Sequence, residues 1–330
     1  MKRAAIFALL ILITSPLLAR EEDHADAVEY FFRAASLMRV ADRPTLSMRA
    51  QLEIETGGRK QSGSLQYVRD SVKNTRSLEI TVGPYHEVAV VTRTQQSRWR
   101  TSQVRPSPIG VLLNKFLSPV PSPIPPRWSI RAVHNRKIDG IHLRCVETDL
   151  DRATQEYCFD SDGLLRRYSA FRNAGNHKEP FREISFNDFD LLDGLRVARR
   201  VRVSLPDITG ELRVTELSTT LPEGWTPPDL GSYAVMSPLC EHEVAPKALQ
   251  APDPEYSEEA RKSGISGRVI LDVVVGTDGR PRDIVVDEGP GFGLEEKAIH
   301  AVETWHFQAA RCGAEVVPKD IKVELNFRLY

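Results

Sequence analysis

Apolar and polar residues alternate strictly over a long stretch near the start of the chain. From Leu46 to Ile54, apolar side chains occupy every second position, with polar or charged side chains between them. Successive side chains of a strand point to opposite faces, so this pattern predicts a strand with one buried and one solvated face. Upstream, residues 23–40 carry apolar side chains at helical spacing, which predicts an amphipathic helix.

Further short alternating stretches follow, separated by polar turns. They lie within residues 78–90, 128–132, 141–159 and 181–217. Such a series is typical of an antiparallel meander and not of parallel strands joined by helices. An apolar run at 109–117, with prolines on both sides, predicts a short helix or an apolar flap.

A proline-rich segment without periodicity, residues 221–250, predicts a linker. The pattern beyond it becomes regular again and predicts a small ββαβ domain over 251–330. Its predicted elements are a strand at 267–275, a hairpin turn at Asp278-Gly279, a return strand at 282–287, a helix from Leu294 to Trp305 and a last strand at 321–329.

The first residues have the anatomy of a secretory signal peptide. Lys2 and Arg3 precede an apolar run, Pro16 follows it, and Ala19 offers a small residue for cleavage. We expect a signal peptide at 1–20 and a mature chain exported to the periplasm. The alternative is a retained inner-membrane anchor, although the run is shorter than the roughly 20 residues that a spanning helix needs.

Export makes the four cysteines candidates for disulfide bonds. Cys145 and Cys158 flank a polar segment between two predicted strands, so antiparallel pairing would place them opposite each other. Cys240 precedes the C-terminal domain and Cys312 lies near its end, so a second bridge would tie the linker to that domain. Free buried thiols are the alternative.

Charge and motif content argue against several function classes. The formal net charge is -1, which gives no reason to expect nucleic-acid binding. The eight histidines and four cysteines show no metal-ligand spacing, and no nucleophile elbow is present. We therefore predict no enzyme activity, no cofactor and no metal.

The C-terminal stretch, about residues 251–330, resembles the TonB C-terminal domain. The likeness lies in an ordered set: an opening aromatic followed by an Ala-Arg pair, glycines at the first strand and its hairpin, and an aromatic pair after the helix. These residues are Tyr256, Ala260, Arg261, Gly267, Gly279, Trp305 and Phe307. Ser257 stands where the family usually has proline, and we expect this substitution to loosen the opening turn.

The resemblance implies that the domain binds an extended peptide segment of an outer-membrane receptor or another envelope protein. We expect strand addition at the edge formed by Ile321, Val323, Leu325 and Phe327, because an edge strand leaves backbone groups unpaired. In the alternative, residues 244–250 or a second copy of the domain cover this edge. The polar membrane helix and long spacer of an energy transducer are not recognisable in the chain.

The region before the linker, residues 21–220, is similar to LolA-like periplasmic proteins. This likeness implies an antiparallel β half-barrel with packed helices, whose concave face could shelter a hydrophobic ligand. The predicted fold class is thus α+β, and the predicted function is a periplasmic peptide-binding adaptor in outer-membrane transport. A membrane-anchored TonB energy transducer and a periplasmic lipid or lipoprotein carrier are the alternatives.

Overall fold

The computed structural model describes residues 16–101, 108–121, 129–150, 153–174, 177–206, 208–230, 235–238, 240 and 242–329. Most of the predicted signal peptide lies outside these residues. The described part is largely β-structure, with a few helices. The α-helices are α1 (Pro16–Met38), α2 (Pro108–Leu117), α3 (Glu258–Lys262) and α4 (Leu294–Glu303).

Thirteen strands form one open antiparallel sheet, the large sheet. In chain order they are β1 (Thr45–Thr56), β2 (Arg59–Asp70), β3 (Thr75–Val82), β4 (Tyr85–Val91), β5 (Gln95–Arg100), β6 (Ser129–Ile138), β7 (Ile141–Leu150), β8 (Ala153–Phe159), β9 (Leu165–Ala174), β10 (His177–Leu192), β11 (Leu195–Ser204), β12 (Ile208–Ser218) and β13 (Val235–Pro238). Across the sheet the order is β13-β5-β4-β3-β2-β1-β12-β11-β10-β9-β8-β7-β6. Two meanders are therefore joined where β1 pairs with β12.

One apolar core lies between the large sheet and its helices. The alternating apolar side chains of β1 are all buried in it, as the period-two pattern predicts. Helix α1 adds Phe31 and Met38 to this core and lies against both β11 and β6, so it crosses the strands of the second meander. Helix α2 lies against β11 and β12 and adds Ile109 and Leu112.

Strand β2 contains a glycine at a close approach of the backbone. The turn that precedes this strand lies at Gly57-Gly58, where both residues have positive φ. Gly63 lies inside the strand, opposite Val82. A Cβ atom at Gly63 would lie 1.7 Å from the carbonyl oxygen of Thr81. Glycine is therefore needed here because the neighbouring strand approaches closely, and not because the chain turns.

The remaining strands form smaller sheets. They are β14 (Glu243–Val244), β15 (Lys247–Gln250), β16 (Gly267–Val275), β17 (Pro281–Glu288), β18 (His306–Gln308), β19 (Ala310–Cys312), β20 (Glu315–Val317) and β21 (Lys319–Phe327). Strands β17, β16 and β21, in that order, form a three-stranded antiparallel sheet, the C-terminal sheet. Helix α4 packs on one face of it around a second apolar core.

Helix α4 is shorter than its apolar pattern predicted. It ends at Glu303, so Trp305 follows the helix and does not belong to its last turn. The buried face of the helix includes Ile299, which the sequence interpretation omitted, while Trp305 is only half-buried against the core. Among the described residues, none of the helices has the length and apolar character of a membrane span.

Candidate functional site

Strand β21 is an edge of the C-terminal sheet. It pairs with β16 over nine residues, from Lys319 opposite Val275 to Phe327 opposite Gly267, without a register shift. No described strand is hydrogen-bonded to its other side. The two strands at the end of the linker do not cover this side of β21, because β14 pairs with β19 and β15 pairs with β18. The outer backbone groups of β21 therefore form a straight template for another strand.

The side chains of β21 alternate between the two faces of the sheet. Val323, Leu325 and Phe327 are buried in the α4 core, and Ile321 packs at its margin. Lys322 and Glu324 lie on the opposite, helix-free face. Because the apolar side chains are already packed, this edge offers a partner chiefly its backbone N–H and C=O groups.

The opposite edge strand, β17, is a poorer template. Its pairing with β16 is broken by two register shifts, and Asp283 has a positive φ of 51°. Such bulges twist an edge and interrupt the regular spacing of its backbone groups. Helix α2 also lies against β17. Of the two edges, β21 is thus the better candidate for strand addition.

Several of the motif residues fasten the ends of the C-terminal core. The hydroxyl of Tyr256 donates a hydrogen bond to the carbonyl oxygen of Ile265, and its ring meets Phe327 edge-on with centroids 5.7 Å apart. Ala260 is fully buried, whereas Arg261 is exposed and pairs with Glu258 at 3.5 Å. The Tyr256 contacts hold the segment before α3 against the last residue of β21.

Of the other motif residues, Gly279 and Phe307 lie at the opposite end of the sheet. Gly279 has a φ of 75° in the hairpin, and its carbonyl oxygen accepts a hydrogen bond from the backbone N–H of Phe307 at 2.9 Å. The indole N–H of Trp305 donates to the carbonyl oxygen of Pro252 at 3.0 Å. Gly267 begins β16 at the Tyr256 end, opposite Phe327, and a Cβ atom there would lie 3.2 Å from Pro290. These residues are therefore structural, and none of them forms the exposed edge.

Ser257 fastens the opening turn. Its hydroxyl oxygen accepts a hydrogen bond from the backbone N–H of Ala260 at 3.0 Å, which caps α3. The same hydroxyl donates to the carbonyl oxygen of Phe292, in the loop before α4. Serine thus joins two loops at a position where the family's proline would make neither bond.

We expect Ser257→Ala to lower the free energy of unfolding by about 0.5 to 2 kcal/mol, the range of a lost helix cap. Native-state hydrogen exchange of the α4 amides would measure this loss. Ser257→Thr, which keeps the hydroxyl, is the control and should stay close to the wild type. Equal losses in the two variants would show that the hydroxyl bonds do not stabilise this turn.

Both suggested cysteine pairs are bonded in the structure. Cys145 and Cys158 are directly opposite on β7 and β8. Cys240 is bonded to Cys312 of β19, at a sequence separation of 72 residues. The second bridge anchors the linker next to the C-terminal core, beside the pairing of β14 with β19.

One group of side chains has the composition of a metal site. His134, Cys145 and Glu156 present ligand atoms that all lie within 4.8 Å of one another. The sulfur of Cys145, however, is bonded to Cys158, so it offers no thiolate. The carboxylate of Glu156 is held by Arg136 at 2.6 Å and by His134 at 3.1 Å. In its disulfide-bonded form this group does not fit a metal ion.

A cluster of buried and half-buried charges lies where the large sheet meets the C-terminal sheet. Arg98 of β5 lies 3.1 Å from the carboxylate of Asp283, 3.4 Å from Asp320 and 3.8 Å from Asp272, so it touches all three strands of the C-terminal sheet. Arg100 lies 2.5 Å from Asp283. Its guanidinium nitrogens are buried without a well-aligned hydrogen-bond acceptor, so this contact is mainly an ion pair.

Burial and charge act against each other in this cluster. Burial alone would lower the pKa of Arg98, but the carboxylates of Asp320, Asp283 and Asp272 raise it above its ordinary value. Burial lowers the pKa of Arg100, and burial raises the pKa of Asp320. These charges are thus poorly hydrated and depend on one another for compensation.

Comparison with known proteins bears on the C-terminal residues. Residues 252–329 match the family model described as Gram-negative bacterial TonB protein C-terminal. The protein TonB2 of Pseudomonas aeruginosa is 34% identical over 82 residues, which are 24% of this chain and 30% of that protein. The chain thus spans less than a third of the length of this relative.

Solved structures give weaker likenesses. The solution structure of the Pseudomonas aeruginosa TonB C-terminal domain matches at 28% identity and a TM-score of 0.23, covering 26% of this chain and 86% of that one. A LolA superfamily protein of Nitrosomonas europaea matches at 10% identity and a TM-score of 0.40, covering 59% of this chain and 94% of that one. On the family model and the sequence identity to TonB2, residues 252–329 of this chain form a domain of the TonB C-terminal family.

Proposed function

We propose that the TonB-type domain binds an extended peptide segment of an envelope protein by adding it as a strand to β21. The observation that supports this proposal is the edge itself, a nine-residue strand in unbroken register with β16 and without a described partner on its outer side. An added strand would satisfy these backbone groups whatever the peptide's side chains, so affinity would come mainly from the ladder.

The whole chain would then act as a periplasmic adaptor in outer-membrane transport. Its C-terminal domain would hold a segment of an outer-membrane receptor, and the large sheet would serve as the body that presents this domain. Two disulfide bonds are consistent with an oxidising compartment. An inner-membrane energy transducer is the alternative, and the intact mass of the native protein separates the two, because an adaptor would have lost about its first 20 residues.

A second candidate function rests on helix α2. Six of its ten residues are buried, and it covers β11 and β12 on the apolar face of the large sheet. If the large sheet is a half-barrel, displacement of α2 would uncover an apolar surface suited to an acyl chain. Lipid that copurifies with the protein and is lost in a variant with polar residues at Ile109 and Leu112 would favour such a carrier.

Strand addition predicts an alternating pattern of protection. Nine-residue peptides would be selected from a random displayed library on the full chain, and hydrogen exchange would then be followed by NMR. Backbone N–H groups of a strand point alternately to its two sides. A bound peptide is therefore expected to slow exchange at every second amide of β21 and to leave the amides that already pair with β16 unchanged.

The matched control is the selected peptide itself, N-methylated at alternate residues. Methylation of the set that pairs with β21 should abolish binding, and methylation of the other set should leave it nearly intact. Protection that maps to β17 or to the large sheet, or equal effects of both methylated peptides, would contradict strand addition at β21.

A further inference from the structure

Part of the helix-free face of the C-terminal sheet is covered by the N-terminal part of the chain. On β16 and β17, Val274 and Val285 alternate with residues of the α4 core, so they point to the opposite face. Both are nevertheless buried, with Val274 2% and Val285 0% exposed. A solvated sheet face would leave them accessible, so this face is an interface with another part of the chain.

Three contacts build this interface from the side of the large sheet. Arg98 and Arg100 of β5 meet the aspartates described above. Helix α2 meets β17 so closely that a Cβ atom at Gly110 would lie 2.6 Å from the carbonyl oxygen of Asp287. Arg182 of β10 donates to the carbonyl oxygen of Gly289 at 3.1 Å. The interface therefore runs along β17 and reaches β21 through Arg98, whereas Lys322 and Glu324 on the same face remain exposed.

The same interface reaches the candidate peptide edge. Strand β13 pairs with β5, opposite Arg98, and also lies against β21. Asp320, the second residue of β21, is one of the three carboxylates that Arg98 contacts. The start of β21 thus lies at the charged cluster, and Val323, Leu325 and Phe327 lie further along the strand.

We propose that docking of the large sheet restricts peptide access to β21, and that binding along the full strand requires release of Arg98 and Arg100 from the three aspartates. This inference rests on the proposed function, because it concerns access to the same edge. In the docked form, in which Arg98 and Arg100 contact the aspartates, a peptide would pair only with the later residues of β21. The released form would offer all nine residues, since β13 would leave together with β5.

The nature of the contact suits a reversible latch. A buried ion cluster gains little over its hydrated, separated charges, because desolvation offsets most of the attraction. Loss of the two arginines from a docked form, by contrast, leaves three carboxylates near one another, of which Asp272 keeps its ion pair with Lys322 at 2.9 Å. The double variant Arg98→Ala/Arg100→Ala is therefore expected to favour the released form strongly.

The test compares the wild type and this double variant as full chains. Hydrogen exchange without peptide should become faster at residues 319–322 and 235–238 in the variant. A nine-residue peptide selected from the random library should bind the variant at least about tenfold more tightly, because minor states of this kind are populated at about 10% or less. Arg202→Ala/Arg213→Ala, which removes two exposed arginines of the large sheet, is the control and should change neither property.

A second variant tests whether the effect comes from loss of the ion pairs and not from misfolding of β5. Asp272→Asn/Asp283→Asn/Asp320→Asn removes the carboxylates from the other side and should give the same faster exchange and tighter binding. Unchanged exchange in both variants would overturn the latch. Faster exchange with unchanged affinity, for a peptide shown to protect β21, would overturn the restriction of access while the proposed function stands. If no variant selects a peptide, the proposed function fails and the inference fails with it.

Discussion

Replacing Cys240 and Cys312 with serine is expected to lower the stability of the TonB-type domain by about 4 kcal/mol. The bridge closes a loop with a sequence separation of 72 residues. In the chain-entropy account, opening a loop of this length returns about that much conformational freedom to the unfolded chain. Native-state hydrogen exchange at the β16 amides, which report on the centre of the C-terminal sheet, would measure the loss.

The double variant Cys145→Ser/Cys158→Ser is the comparison. Its bridge closes a loop with a separation of only 13 residues within the large sheet, so the expected loss is about 3 kcal/mol and should appear at the β7 and β8 amides. The β16 amides should exchange as in the wild type. Equal protection of β16 with and without Cys240–Cys312 would show that the bridge does not support the C-terminal core.

Gly279→Ala is expected to destabilise the same domain by about 2 to 4 kcal/mol. The φ of 75° costs a residue with a side chain about 1 kcal/mol or more. In addition, the new Cβ atom would lie 2.1 Å from the carbonyl oxygen of Phe307, and relief of such overpacking costs about 1 to 3 kcal/mol. The clash would also strain the hydrogen bond between Phe307 and Gly279.

Gly264→Ala separates the two contributions. Gly264 has a φ of 64°, and nothing lies within 4 Å of its Cβ position. This variant should therefore show only the backbone strain, about 1 kcal/mol. Urea denaturation of both variants measures the difference. If the two substitutions cost the same, the close approach of Phe307 to the hairpin has no energetic weight.

Sequence patterns predicted the strands that have one buried apolar face. The alternation in β1 and β21 is visible because every second side chain enters a core made by the chain's own neighbouring elements. The opposed positions of Cys145 and Cys158 followed from the same reasoning, since a hairpin fixes which residues face each other. Local periodicity carries this information directly.

Local periodicity did not predict strand β5. Its sequence, Gln95–Arg100, contains no apolar alternation and was not predicted as a strand. Arg98 and Arg100 are nevertheless buried, because aspartates far along the chain compensate their charge. A contact between distant segments leaves no periodic signal, so the interface was missed together with the strand. The only indication of this interface in the sequence was the pair Arg98 and Arg100, which lie on one face of a polar segment.

The two ends of the large sheet have different prospects for contact with other molecules. Strand β13, contributed by the linker, occupies the outer side of β5, so the two end strands of the large sheet are β13 and β6. A very short edge strand offers few unpaired backbone groups to another chain, and β13 has only four residues. At the other end, Arg136 and Lys137 of β6 disfavour pairing with another chain. A four-residue strand of the linker thus replaces β5 as the end strand and limits edge-to-edge pairing of the large sheet.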